Sequence, residues 1–213
     1  MALTLEEAIN QLSNRASAKR RSAAKRLGKL ANETAGPALL HALQREIGDR
    51  RTWETQYEII MSLGACGYRP AIGLLAEIAQ EPTDDTALYL ALGDSIVRLR
   101  SSQDGFAAPL EWCLDRGDPS LVDGVLRAIA ALHAVPDAGS VNRLLDFLDP
   151  LDPYDGLRYW AAVGATEWPG DRVHTFLESC AAGPRTDVAD AAAASLEKRH
   201  QGQKGTTMNR QTR

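Results

Sequence analysis

The segments Arg26-Leu27-Gly28-Lys29-Leu30 and Ser62-Leu63-Gly64-Ala65-Cys66 carry the same Leu-Gly step 36 residues apart. When the 213-residue sequence is aligned on that leucine, an apolar residue recurs in its slot at intervals of 31 to 36 residues. Each interval holds two stretches with helical apolar spacing and none with the alternation of a strand. This period predicts an all-α solenoid, because a helix pair of that length buries its apolar face only against neighbouring pairs. The slot is filled by Leu27, Leu63, Leu99, Leu132, Val163 and Leu196.

Prolines mark where the helices of each pair are expected to begin. Pro37 and Pro70 suit the first turn of a second helix, since the N–H that proline lacks has no partner there. Asp118-Pro119 and Asp152-Pro153 combine a capping residue with a proline, which is typical of the start of a first helix. A break between the second and third pairs is predicted at residues 81–85.

The repeats define the predicted domain organisation. We expect a right-handed α-solenoid, or superhelix, of about five helix pairs with capping helices, forming one domain over residues 1–200. Residues 201–213 are polar and low in apolar side chains, which predicts a disordered tail.

The pattern resembles HEAT repeats, and more closely the short bacterial HEAT-like repeats that are also found in phycobilin lyases. The resemblance rests on the paired helices, the Asp-Pro openings and the steps Leu27-Gly28 and Leu63-Gly64. It covers roughly residues 17–200. It implies an armadillo-type superhelix that serves as a scaffold for partner proteins or, as in the lyases, holds a chromophore.

Composition limits which class of protein and which cellular compartment are expected. The chain is 44% hydrophobic, which lies in the globular range and excludes a disordered protein. Its three cysteines, Cys66, Cys113 and Cys180, include no Cys-x-x-Cys pair, which favours reduced thiols and a cytoplasmic location. No run of about 18 apolar residues occurs, so no membrane association is expected.

Catalytic and metal-binding motifs are absent from the sequence. There is no glycine-rich phosphate loop, no His-Glu-x-x-His and no Gly-x-Ser-x-Gly. The four histidines, His41, His133, His174 and His200, fall in different repeats. We therefore expect no catalytic residues, no metal and no cofactor, and a protein that is not an enzyme.

A strongly basic helix is expected near the amino terminus, where seven cations and no acid lie within about four turns. Such a helix would neutralise phosphates, so nucleic acid is one candidate partner. Like charges one turn apart repel each other, so something must compensate them. That compensation is nucleic acid, an acidic partner protein or the acidic middle of this same chain. The candidate nucleic-acid-binding residues are Arg15, Lys19, Arg20, Arg21, Lys25, Arg26 and Lys29.

The middle of the chain is acidic, since residues 30–197 hold 12 arginines against 26 Asp and Glu residues, although the whole chain carries only −4. Polar residues of the second helices should line the inner face of the solenoid, where acids would favour a partner with a basic segment. Aromatic and amide side chains on first helices form another candidate surface, since Trp and Tyr are favoured at binding hot spots. The candidate partner-binding residues are His41, Gln44, Arg45, Asp115, Arg143, Asp146, His174 and Glu178 on second helices, and Trp53, Gln56, Tyr57 and Tyr89 on first helices.

Three functions are compatible with these features. The leading hypothesis is a non-catalytic scaffold that binds another protein or peptide on the solenoid surface. The alternative is a nucleic-acid-binding protein that uses the basic helix. The third, implied by the resemblance alone, is a lyase-like chaperone for a chromophore, which needs a deep apolar groove that the sequence does not clearly show.

Overall fold

Residues 2–81 and 86–211 are described in a computed structural model of the chain, apart from the side chains of residues 102–104 and 202–211. These ranges form twelve α-helices and four short 3-10 segments and contain no β-strand, so the all-α prediction is confirmed. No helix within them is long and apolar enough to span a bilayer. The break predicted at residues 81–85 falls almost wholly outside the described residues.

The helix bounds follow the predicted order of first and second helices. The α-helices are α1 (Leu5–Gln11), α2 (Ser17–Leu30), α3 (Gly36–Glu46), α4 (Trp53–Cys66), α5 (Ile72–Ile78), α6 (Thr86–Asp104), α7 (Ala107–Leu114), α8 (Pro119–Ala131), α9 (Ala138–Leu148), α10 (Arg158–Gly164), α11 (Asp171–Ala181) and α12 (Thr186–Gln211). The 3-10 segments are Glu33–Ala35, Arg50–Thr52, Arg69–Ala71 and Ala165–Glu167.

The chain divides into two compact units. The first comprises Met1–Gly105 and Asp118–Ala128, and the second comprises Phe106–Gly117 and Ile129–Arg213. The single repeat domain over residues 1–200 and its right-handed superhelix stay predictions. The backbone of α12 continues to Gln211, but side chains from residue 202 onward are not described, and the disordered tail also stays a prediction.

Serine hydroxyls join the first helices of the first unit, in which α2 packs on α4 and α4 on α6. Ser62 of α4 donates to the carbonyl of Ala24 in α2 at 2.7 Å, and Ser95 of α6 donates to the carbonyl of Ile60 in α4 at 2.8 Å. A Cβ atom on Gly28 would lie 2.7 Å from the Ser62 Oγ, and one on Gly64 would lie 2.6 Å from the Ser95 Oγ. The Leu-Gly step therefore marks where consecutive first helices approach most closely.

The second unit repeats this contact. Ser195 of α12 donates to the carbonyl of Ala162 in α10 at 2.7 Å. Helix α12 also packs on α11, which lies beside α9. Paired helices stacked through a recurring serine bridge confirm the repeat architecture inside each unit.

The leucine alignment is wrong at Leu99, Leu132 and Val163, whereas Leu196 follows the bridging Ser195 as Leu63 follows Ser62. The serine bridges place Ile96, not Leu99, in the slot of Leu63, because Ser62 and Ser95 make the same contact 33 residues apart. Leu132 and Val163 are 43% and 36% exposed, so neither fills a buried slot. The connections differ in length between repeats, and an alignment at a single leucine cannot follow those changes.

One of the two Asp-Pro openings is confirmed. Asp118 accepts hydrogen bonds from the N–H groups of Ser120 and Leu121 at 2.9 and 3.0 Å, and α8 begins at Pro119. Asp152 instead accepts from the N–H of Tyr154 at 2.8 Å in a turn, and α10 begins only at Arg158. The same dipeptide thus starts a helix in one repeat and a loop in another.

Candidate functional site

The basic helix α2 is bound to the first unit by its own cations. Arg20 donates from Nε and Nη2 to the two carboxylate oxygens of Glu46 at 2.5 and 3.0 Å, and Glu46 is only 5% exposed. The Nη1 of Arg20 donates to the carbonyls of Asn14 and Arg15, both at 2.8 Å. This bidentate pair joins α2 to the end of α3, so Arg20 is a structural residue.

Three further cations of α2 also have partners within the first unit. Arg21 pairs with Glu54 of α4, and the Lys25 Nζ lies 3.6 Å from a carboxylate oxygen of Glu58 one turn further along that helix. Arg26 Nε donates to the carbonyl of Leu3 at 2.7 Å. Three of the like charges, those of Arg20, Arg21 and Lys25, are therefore compensated by this chain's own acids, which was one of the three explanations that the sequence left open.

The remaining cations of the set are Arg15, Lys19 and Lys29. All three are exposed, and none forms an ion pair with a residue in the described ranges. They leave the nucleic-acid hypothesis with three exposed cations without a described partner in place of seven, since Arg26 is held by a carbonyl.

The candidates on α3 are all exposed. His41, Gln44 and Arg45 lie on its outward side, beside the buried Leu43. Arg45 also donates from Nη2 to the carbonyl of Leu12 at 2.9 Å, which joins α3 to the end of α1. These three residues are exposed to a partner, and none is paired with an acid among the described side chains.

The aromatic and amide candidates on first helices do not form one surface. Trp53 is 41% exposed, whereas Tyr57 is half-buried, and burial raises the pKa of its hydroxyl. Half-buried Tyr89 donates its hydroxyl to the carbonyl of Glu81 at 3.0 Å. Only Trp53 presents a large apolar area to solvent.

Gln56 lies inside the first unit, and this corrects its expected place on a binding surface. It is 6% exposed, and its Nε2 donates to the carbonyls of Glu46 and Asp49 at 3.0 and 2.9 Å. The side chain closes the connection between α3 and α4. Sequence spacing could not show this, because the carbonyls that it satisfies belong to a turn rather than to a helix face.

Five predicted residues do meet on one surface, in the second unit. Asp115, at the end of α7, accepts from the Nη2 of Arg143 in α9 at 2.7 Å. Within α11 the Nε2 of His174 lies 3.3 Å from a carboxylate oxygen of Glu178. Asp146 of α9 completes the set.

Arg172 is a further member of this surface that the sequence did not indicate. Its Nη2 lies 2.8 Å from an oxygen of Asp146 and 2.9 Å from one of Asp149, which joins α11 to α9. These two carboxylates raise the pKa of Arg172, with the hydrogen bond that Arg172 donates to Asp146 contributing most. Its place at the first turn of α11 was the available signal, but its partners depend on how α9 and α11 align.

We call this surface the ion-pair face of the second unit. It is formed by α7, α9 and α11, which pack side by side, α7 on α9 and α9 on α11. Acids outnumber bases on this surface, which has six exposed acids and two exposed arginines among its described residues. The ion-pair face is therefore acidic, as the sequence predicted. The acids are Glu111, Asp115, Asp146, Asp149, Asp171 and Glu178, and the arginines are Arg143 and Arg172.

The described cysteines and metal-ligating side chains form no reactive cluster on this face. Cys66, Cys113 and Cys180 are buried thiols, and burial raises the pKa of Cys180 to about 11. A thiol in that state is a poor nucleophile near neutral pH. Within residues 2–81 and 86–211 no group of three His, Cys, Asp or Glu side chains could hold a metal ion.

Comparison with known proteins adds a likeness of fold. No protein-family model matches the sequence. No curated protein matches it either. A designed armadillo repeat protein is similar in structure, with 15% sequence identity and a TM-score of 0.44 over 92% of this chain and 100% of that chain. That likeness concerns the arrangement of helices and says nothing of what this chain binds.

Proposed function

We propose that this protein is a non-catalytic binding scaffold that holds a basic segment of a partner protein on the ion-pair face. The observation that carries the proposal is the row of contacts from Asp115 to Arg143 and from Asp146 to Arg172, which joins three consecutive second helices with their charged ends exposed. Exposed ion pairs of this kind add little to folding stability. Their ordered arrangement is better suited to recognition.

Charge complementarity supports a basic segment as the partner. Arg143 and Arg172 hold their neighbouring carboxylates at fixed positions, and Glu111, Asp171 and Glu178 add acids that neither arginine neutralises. A lysine or arginine of the partner could pair with these acids. Charged surfaces arranged in this way speed association and set the orientation of the partner.

The test uses a short fluorescein-labelled peptide rich in lysine and arginine, with binding to the full chain followed by fluorescence anisotropy. We expect binding that weakens in the double variant Asp115→Lys/Asp146→Lys, because the reversed charges repel the peptide. Both positions are exposed, with side-chain exposures of 68% and 62%, so the variant should fold. Circular dichroism checks that it does.

The matched control is Asp190→Lys, which reverses an exposed acid on α12 away from the ion-pair face. It changes the net charge in the same direction and should leave peptide binding nearly intact. If peptide binding weakens equally in the double variant and in Asp190→Lys, the peptide responds to overall charge. That result would contradict binding at the ion-pair face.

A further inference from the structure

A second feature of the second unit is a cleft where the loop before α10 meets the end of α11 and the start of α12. Its volume is about 190 Å³, room for about six water-sized molecules at about 30 Å³ each. Pro153, Pro184 and Val188 give it apolar walls, and Arg158, Ser179 and Arg185 supply its polar groups. A cleft of this size and lining suits a small amphiphilic molecule.

Arg158 is the unusual group in this lining. Its Nη2 donates to the carbonyls of Leu148, Asp149 and Leu151 at 3.1, 3.2 and 2.9 Å, so the guanidinium is held by neutral acceptors. Its Nε is buried without any hydrogen-bond partner. In the described part of the chain no carboxylate lies in ion-pair contact with it.

A partly buried guanidinium without a counter-ion is costly, because neutral carbonyls replace only part of its lost hydration. The other arginine at the cleft is compensated differently. Arg185 donates from Nε and Nη2 to both oxygens of Asp187 at 2.8 and 3.1 Å, and from Nη1 to the carbonyl of Tyr154 at 3.0 Å. Of the two arginines at the cleft, Arg158 is therefore the one that pairs with no carboxylate of the described residues.

We propose that the cleft binds a small carboxylate that carries a short apolar chain, with the carboxylate at Arg158 and the chain against the prolines and Val188. The Nη2 of Arg158 is occupied by three carbonyls and its Nε is buried, so the carboxylate accepts from Nη1, the remaining nitrogen of the guanidinium. Inorganic phosphate suits the site less well, because its remaining oxygens would face apolar walls. The ligand is a free short-chain acid or the carboxyl terminus of a peptide, which share this chemistry.

The experiment measures binding of sodium butyrate, N-acetylvaline and butyramide to the full chain by saturation-transfer NMR, at constant ionic strength. Sodium phosphate, which has no carbon-bound proton to observe, is added as a competitor. We expect saturation transfer to at least one carboxylate and none to butyramide, and phosphate should leave the carboxylate signal unchanged. Butyrate alone would identify a free acid, and N-acetylvaline alone would identify a peptide terminus. A signal from butyramide equal to that from butyrate, or none from either carboxylate, would overturn the proposal.

Because Arg158 also holds three carbonyls, its removal could unfold the loop, and a variant at the cleft mouth locates the site more cleanly. Ser179→Trp places an indole at the exposed lining residue of α11 and should abolish the carboxylate signal. Thr175→Trp, one turn away on the same helix and outside the lining, is the matched control and should retain it. Retention of the signal in both variants would place the carboxylate elsewhere and overturn the proposal.

Discussion

Asp137 shows how a single side chain starts a helix in this protein. Its carboxylate accepts from the N–H of Ser140 at 3.0 Å and from the Ser140 hydroxyl at 2.7 Å, at the amino terminus of α9. The Ser140 hydroxyl, and then its N–H, lower the pKa of Asp137 below the ordinary value. The ionised carboxylate is therefore the form that the folded state prefers.

Replacing Asp137 by alanine should lower the free energy of unfolding by about 1 kcal/mol, the usual cost of losing an N-cap. Because folding lowers the pKa, the stabilisation is present above the unfolded-state pKa and is lost as pH falls through the folded-state pKa. Urea unfolding at pH 7 and at acid pH should show the difference between wild type and variant shrinking with acid. Asp137→Asn, which retains a capping oxygen, should stay close to wild type at pH 7, and a gap independent of pH would contradict this reasoning.

Arg20 and Glu46 should be strongly coupled because Glu46 is buried. Arg20→Met leaves that carboxylate without its partner and should lower the free energy of unfolding by about 3–5 kcal/mol. The double variant Arg20→Met/Glu46→Leu removes both charges and should recover much of the loss. A double-mutant cycle by chemical denaturation measures the coupling, with Arg15→Met as an exposed control expected to change little. Additive losses in the double variant would show that the pair is not coupled.

At the scale of elements, α6 and α8 cross with their backbones almost in contact. A Cβ atom on Gly93 would lie 2.0 Å from the carbonyl oxygen of Leu121, and one on Gly124 would lie 2.0 Å from that of Leu90. Each helix thus presents a glycine where the other presents a carbonyl. No side chain fits at either position unless the helices move apart.

Gly124→Ala should therefore lower the free energy of unfolding by about 1–3 kcal/mol, the range for overpacking a close contact, despite the better helix propensity of alanine. Gly73→Ala in α5 is the matched control, because a Cβ atom there meets nothing within 4 Å. It should be neutral or stabilising by up to about 1 kcal/mol. Thermal and urea unfolding compare the two, and equal stability would mean that α6 and α8 separate at little cost.

At the scale of the whole molecule, the paired cations of α2 limit how strongly the protein can bind nucleic acid. If only Arg15, Lys19 and Lys29 contact phosphates, the slope of log K against log salt for duplex DNA should be no steeper than about −3. Seven contacting cations would give about −6. Fluorescence anisotropy with a DNA duplex over a salt series measures the slope. A value near −6 would show that the ion pairs to Glu46, Glu54 and Glu58 open on binding, and would restore the nucleic-acid hypothesis.

Local signals account for what could be predicted about the fold. Three signals, each contained in one or two helical turns of sequence, agree with the structure. They are the helical spacing of apolar residues, the proline within the first turn of α3 and Asp118-Pro119 at α8. The predicted helix start at Asp152-Pro153 is wrong, and the cause is local too. Asp152 caps a turn there, and the residues that follow, Tyr154, Asp155 and Gly156, favour a loop over a helix.

The sequence by itself determined the helices, the repeat and the basic and acidic regions, because each depends on residues close together in the chain. Only the tertiary structure decided which charges meet. Arg20 reaches Glu46 across 26 residues, and Arg172 reaches Asp146 on the neighbouring helix. Whether such a cation forms an ion pair within the protein or stays exposed to a partner depends on the alignment of adjacent helices. That alignment is set by side-chain packing and connection length, which a repeat period does not encode.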